Sequence, residues 1–239
     1  MMRFTTMKTK LRKYPSIFLI LLLAISSCFL TGCVNQHPKD SKKSSQGESV
    51  ETMLEITDPK EKQAVLNAKA KVKALSGNPR IVATSPAVAD ICDKLDLDLV
   101  GVPKSSVSKI PSRYKKVKKV GLAMSPDMEI VSSLNPDWIL APSSLETDLK
   151  PKFEELKNTE YAFLNLRSVQ GMYRSVQELG EIFGKQQEAE KMTKEFTTFY
   201  KSYTKRNKNK KHPKALVLMG LPGSYVIATE KSYVGSLVK

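Results

Sequence analysis

A layered α/β fold around a parallel sheet is what this sequence predicts from about residue 80 onward. Three observations carry that reading. Short apolar segments of strand length recur, Ile81–Ala83 and Leu99–Val102 first among them; stretches with helical spacing alternate with them; and Ser, Asp and Pro stand in the gaps where helices start. A basic, then apolar leader precedes this layer, and one long helical stretch follows it.

The leader comes first in the chain. Arg3, Lys8, Lys10, Arg12 and Lys13 form its head with no acid among them, and only Ser26, Ser27 and Cys28 interrupt the apolar run over residues 17–30. Leu30-Thr31-Gly32-Cys33 then has the form of a lipoprotein cleavage box. A spanning helix needs about 20 apolar residues, so this run is short for a permanent membrane segment. The expectation is a signal over residues 1–32, cleavage before Cys33, a lipid on Cys33, and a domain held at the outer face of the cytoplasmic membrane. Five positive charges leave with residues 1–32, which takes the formal charge from +15 to +10. An exported basic chain meets lipids, wall polymers and acidic small molecules, not nucleic acid. Beyond Cys33, Cys92 is the only cysteine and lies in an apolar helical stripe, so neither a disulfide framework nor a cysteine-based zinc site is expected.

Residues 33–79 read as the anchor and a polar tether carrying one helix. The tether is rich in Ser, Lys, Gln and Asp; the helix has Asp58 as N-cap, Pro59 at its first position and Val65, Ala68, Val72 and Leu75 along one narrow stripe. Residues 80–184 then form the lobe. Strand Ile81–Ala83 leads to a helix capped by Ser85, and strand Leu99–Val102 leads into a basic loop reaching Lys119. A helix over 126–134 capped by Ser125, a turn at Asn135-Pro136-Asp137, a strand over 138–140, a helix over 147–156, a strand over 161–164 and the helix Val169–Phe183 complete it. Residues 185–212 supply a connecting helix with Ala189, Met192, Phe196 and Phe199 on one face. Residues 213–239 give an apolar strand over 215–218, a turn, a strand over 225–228 and a helix capped by Ser232, too little to bury a second core, so the chain reads as C-terminally truncated.

Several segments are distinctive together: Ile110-Pro111-Ser112-Arg113-Tyr114, Val120-Gly121 with Met124-Ser125-Pro126, and above all Met219-Gly220-Leu221-Pro222-Gly223-Ser224-Tyr225 followed by Ala228-Thr229-Glu230-Lys231-Ser232-Tyr233. Over about residues 79–239 the chain resembles the haem-receptor lipoproteins of the iron-regulated surface determinant system, the substrate-binding proteins of ABC haem importers. The resemblance implies a helical-backbone, class III-like α/β substrate-binding fold, with one complete lobe, a long connecting helix and the start of a second lobe. It implies haem b as the bound group, cell-wall haem-relay proteins as donors, and delivery to an ABC permease and its ATPase.

Carried over residue by residue, the resemblance puts the methionine axial ligand of the iron on Met124, a soft thioether donor. The second axial ligand in the family is a histidine, and neither His37 nor His212 matches its position. The propionate contacts fall on Ser85 and Ala87 at a helix start, where Pro86 lacks an N–H, and on Ser105 and Ser106 after the second strand. By local sequence alone, Ser85 is equally an N-cap, Met124 a core filler, the run from Lys109 to Lys119 a solvated face and Tyr225 a turn-flanking strand residue. No phosphate loop, nucleophile triad or paired metal ligands argue for an enzyme. The alternatives within reach of the sequence are a siderophore or corrinoid receptor of the same fold, or an interaction module that binds no small molecule.

Overall fold

The computed structural model describes residues 54–56, 58–211, 213–221, 223–230 and 232–238. The leader, Cys33, His37, most of the tether and His212 lie outside the described residues.

Helix α1 (Pro59–Lys73) starts where the sequence places it: the Asp58 carboxylate accepts from the Lys60 amide at 2.8 Å and Pro59 occupies the first turn. It docks on the lobe. Val65 is buried, Ala68 and Val72 pack on the same core, and Lys69 and Lys71 pair with Glu181 and Glu160.

The lobe then runs β1 (Ile81–Ala83), α2 (Pro86–Lys94), β2 (Leu99–Val102), a 3-10 turn at Ser112–Tyr114, β3 (Lys118–Lys119), β4 (Gly121–Leu122), β5 (Ser125–Pro126), α3 (Met128–Ser133), β6 (Trp138–Pro142), α4 (Glu146–Glu154), β7 (Glu160–Leu164) and α5 (Val169–Phe183). Five strands form one parallel sheet in the order β3-β2-β1-β6-β7. Because side chains alternate along a strand, each central strand feeds two cores. Ile81, Ala83, Trp138 and Leu140 face the core shared with α1, α2 and α5, whereas Val82, Ile139 and Ala141 face Val131, Leu149 and Phe153 of α3 and α4. Cys92 is wholly buried in the first core, and burial pushes its thiol up to about 12, so it stays protonated.

Helix α6 (Gln186–Asn207) follows α5 across Gly184, whose φ of 71° is a left-handed cap. The two helices pack closely: a Cβ at Gly180 would stand 2.6 Å from that of Ala189. Tyr173 stacks on Phe196 with ring centroids 4.4 Å apart. Beyond α6, β8 (Leu218–Leu221) and β9 (Ser224–Ile227) form an antiparallel two-stranded hairpin, and α7 (Tyr233–Val238) begins where Gly235 donates to the Ser232 hydroxyl at 3.1 Å.

Several boundaries differ from the sequence reading: Lys118–Lys119, expected in a loop, is an edge strand, the helix expected over 147–156 is Glu146–Glu154, and the strands expected over 161–164 and 225–228 each start one residue earlier. Three further differences have an evident reason. The helix expected over 126–134 starts at Met128 with Asp127, not Ser125, as its cap, because Ser125 and Pro126 are extended in a hairpin with Gly121 and Leu122. β6 runs two residues longer than expected, since β7 pairs with it through Pro142. The strand expected over 215–218 begins at Leu218, where pairing with β9 begins in a register that runs from Leu218–Ile227 to Leu221–Ser224, with Gly223 at φ 77° between the strands.

Glu178 of α5 faces Glu61 of α1, with Arg174 on its own helix as a counter-charge. Burial first, then the hydrogen bond and charge of Glu61, push the Glu178 carboxyl up to about 8, against the pull of Arg174. A carboxyl raised on docking favours the docked state most at low pH and weakens it as pH climbs from the ordinary glutamate range toward 8. Glu178→Gln is therefore expected to match wild type in thermal unfolding below pH 5 and to exceed it by at least about 2 °C above pH 8.

Candidate functional site

In an open parallel sheet the crevice beyond the carboxyl ends of the strands, where strand order reverses, is the favoured ligand position. Here the reversal falls between β1 and β6, and the chain leaving β1, β2 and β3 emerges on that same edge. Strands lie ~4.8 Å apart, so these three exits span about 10 Å.

The β1 exit is tied down by Thr84. Its amide donates to the Leu140 carbonyl at 3.0 Å and its hydroxyl to the same oxygen at 3.3 Å, bridging the reversal point. Ser85 follows in extended conformation, 6% exposed, and its hydroxyl oxygen accepts from the Val88 amide at 3.3 Å. That oxygen serves the helix cap, and Ala87 in the first turn is exposed. Pro86 brings no N–H.

The β2 exit is laced to the next segment by the Lys104 amide, which donates to Gly121 O at 2.6 Å. Ser105 is half-buried, its hydroxyl accepting from the Ser108 amide at 3.0 Å, and Ser106 is exposed beside it. The β3 exit is the β4–β5 hairpin. Gly121 closes its base at φ 94°, and the Asp127 amide donates to Val120 O at 2.7 Å. Leu122 pairs with Ser125, so Ala123 and Met124 form the tip, and Met124 is 74% exposed. Met124 thus sits on a braced hairpin and not on a simple loop ahead of a helix. Tyr225 lies on β9, 77% exposed.

Arg113, part of the basic run, is committed elsewhere: its guanidinium donates to Asp96 and Asp98 at 2.8 Å each. Hydrogen bonds from Lys185 and then Arg113 hold the Asp96 carboxyl below its ordinary range. Two residues of this edge, Thr84 and Arg167, escaped the sequence reading. Arg167, just past β7, reaches the Ser143 carbonyl past β6 at 3.5 Å and places a guanidinium there. Their sequence signal is weak: each merely follows an apolar strand. A cavity of about 400 Å³ lies apart from Met124, lined by Glu61, Asn165, Ser168, Arg174 and Glu178 among others. Among the described residues no helix is long and apolar enough to cross a membrane, and no three His, Cys, Asp or Glu side chains cluster as metal ligands.

A parallel sheet with helices on both faces and a long following helix make up this architecture, and the sequence profile described as "Periplasmic binding protein" matches residues 81–239; the chain belongs to that family. Among its relatives is the high-affinity heme uptake system protein IsdE of Staphylococcus aureus strain Newman, 41% identical over 165 residues, which cover 69% of this chain and 56% of that protein. The chain therefore spans little more than half the length of that relative. The crystal structure of S. aureus IsdE complexed with heme superimposes with a TM-score of 0.63 at 38% identity, covering 68% of this chain and 62% of the other. An ABC transporter substrate-binding protein from Listeria monocytogenes EGD-e matches with the same TM-score of 0.63 at 44% identity, with 68% and 62% covered.

Gly121 is the hinge of the Met124 hairpin. A Cβ there would stand 2.9 Å from the Asp127 amide nitrogen and 3.1 Å from Ser125 O, on a backbone that L side chains rarely adopt. Gly121→Val is expected to cost about 1–3 kcal/mol in urea unfolding, whereas Gly77→Val, in open space, is expected to change stability little.

Proposed function

We propose that the chain is a haem-binding receptor that takes haem b outside the cell and hands it to an ABC permease and its ATPase. The observation that carries this reading is Met124. A methionine that fills a core is buried, whereas this one stands 74% exposed at the tip of a hairpin braced against the carboxyl edge of the sheet. On this reading Met124 provides the thioether to one face of the haem iron. The Ala87 amide and Ser85 hydroxyl receive one propionate, and the turn at Ser105 and Ser106 receives the other. The haem supplies the iron and the absorbing macrocycle; the protein orients it and shields one face.

Support comes from the 41% identity to a heme uptake protein and from the superposition on a heme complex at 38% identity. The leader supports export, lipid attachment through Cys33 and residence at the outer face of the cytoplasmic membrane, with wall-bound haem carriers as donors. The role is one of binding and transfer, not catalysis.

The test is a haem titration followed through the Soret band, in wild type and Met124→Ala. The expected result is stoichiometric binding by wild type and a shifted or lost band in the variant. Equal spectra in both would remove Met124 from the site, and absence of a haem band with retained siderophore binding would favour the siderophore reading.

A further inference from the structure

Between Asp98 and Asp127 the chain has six lysines and no acid. The topology gathers them on one side. Because β2 and β3 are parallel, the chain leaving β2 at the carboxyl edge must return to the opposite edge before β3 begins, so residues 103–117 run the height of the sheet beside its outermost strand. Lys104 stands at the upper end of this path, Lys109 along it, Lys115 and Lys116 at the lower end, and Lys118 on β3 itself; all five are exposed. The path is rigid. Tyr114 is 2% exposed with its hydroxyl donating to the Leu97 carbonyl, and Arg113 is clamped by Asp96 and Asp98. Among the described residues none of the six lysines takes part in an ion pair.

We propose that this lysine wall seats the lobe on anionic phospholipid headgroups, with the β3 side of the sheet toward the membrane. Lysines on an outermost strand also keep other strands from pairing with it, but that need is met by Lys118 and Lys119 alone, and Lys104, Lys109, Lys115 and Lys116 lie outside the strand. The wall follows a sheet edge and is not a groove, which suits a surface of charge better than a single polymer strand. The choice of partner rests on the export and lipid-anchor reading. The stretch from Cys33 to Leu54 reaches at most ~70 Å when extended, which keeps the lobe within range of the bilayer. Each lysine near an anionic membrane surface favours contact about 5-fold.

The test uses the full-length lipidated chain, with Ser108→Cys labelled by a fluorophore, on vesicles of phosphatidylcholine alone or mixed with phosphatidylglycerol, both containing brominated lipid as quencher. Quenching is expected on the anionic vesicles only, with loss in high salt. The triple variant Lys109→Gln, Lys115→Gln, Lys116→Gln is expected to shift the balance of seated to lifted lobe by about 100-fold. Equal quenching on both vesicles, or none on either, would overturn the proposal, as would release by a soluble glycerol phosphate polymer at charge concentrations where chloride has no effect. Sedimentation with phosphatidylcholine vesicles reports the anchor separately: a chain that fails there and still partitions onto phosphatidylglycerol refutes the anchor and keeps the lysine wall.

Discussion

Everything in the lobe depends on β1 lying between β2 and β6 in parallel. Three residues, Ile81, Val82 and Ala83, are buried to 1% exposure or less and pair on both sides. A strand so short holds its place only if both neighbours and both helical layers agree, and they do. At its start the Arg80 amide donates to the Asp137 carboxylate at 2.7 Å and the Asp137 amide donates back to Arg80 O at 2.9 Å. At its end Thr84 bonds twice to Leu140. The reversal of strand order is thus clamped at both edges by the lobe's own hydrogen bonds.

That clamping explains how weakly structured pieces gain a fixed geometry. The β4–β5 hairpin has two residues per strand, too few to be stable alone. It holds because Lys104 and Asp127 hydrogen-bond its base to the β2 exit and to Val120. A ligand group on such a tip is placed by the sheet, not by its own loop, which is the condition for a site that binds without large reorganisation. The long helix α6 extends the same logic outward, since its close approach to α5 at Gly180 and Ala189 sets its direction from the lobe.

Much of this was legible in the sequence. Asp58-Pro59 and Ser85-Pro86 mark helix starts by chemistry that acts locally, and the helix expected over Val169–Phe183 has those bounds in the structure, where Ser168 caps it and Gly184 ends it. The failures share one cause: the deciding interaction is a pairing that local spacing does not show. Ser125-Pro126 has the look of a cap and first helical residue, yet pairing with Gly121 and Leu122 keeps it extended. Arg113 reads as one cation in a run, but its partners Asp96 and Asp98 precede it by 17 and 15 residues. The candidate site residues come from the family resemblance and not from local sequence, in which nothing says that Met124 is exposed or that Arg167 reaches across to Ser143.

The central claim is that ligand meets the carboxyl edge of the parallel sheet. Backbone amide chemical shifts during titration with diamagnetic gallium protoporphyrin test it most directly. The account predicts the largest changes at Ala87, Ser105, Ser106, Ala123 and Met124, with little change at Leu97, Asp137 or Asn158 on the opposite edge. Changes centred on that opposite edge, where Asn135, Asp137 and Asn158 line a separate cavity of about 520 Å³, would contradict it.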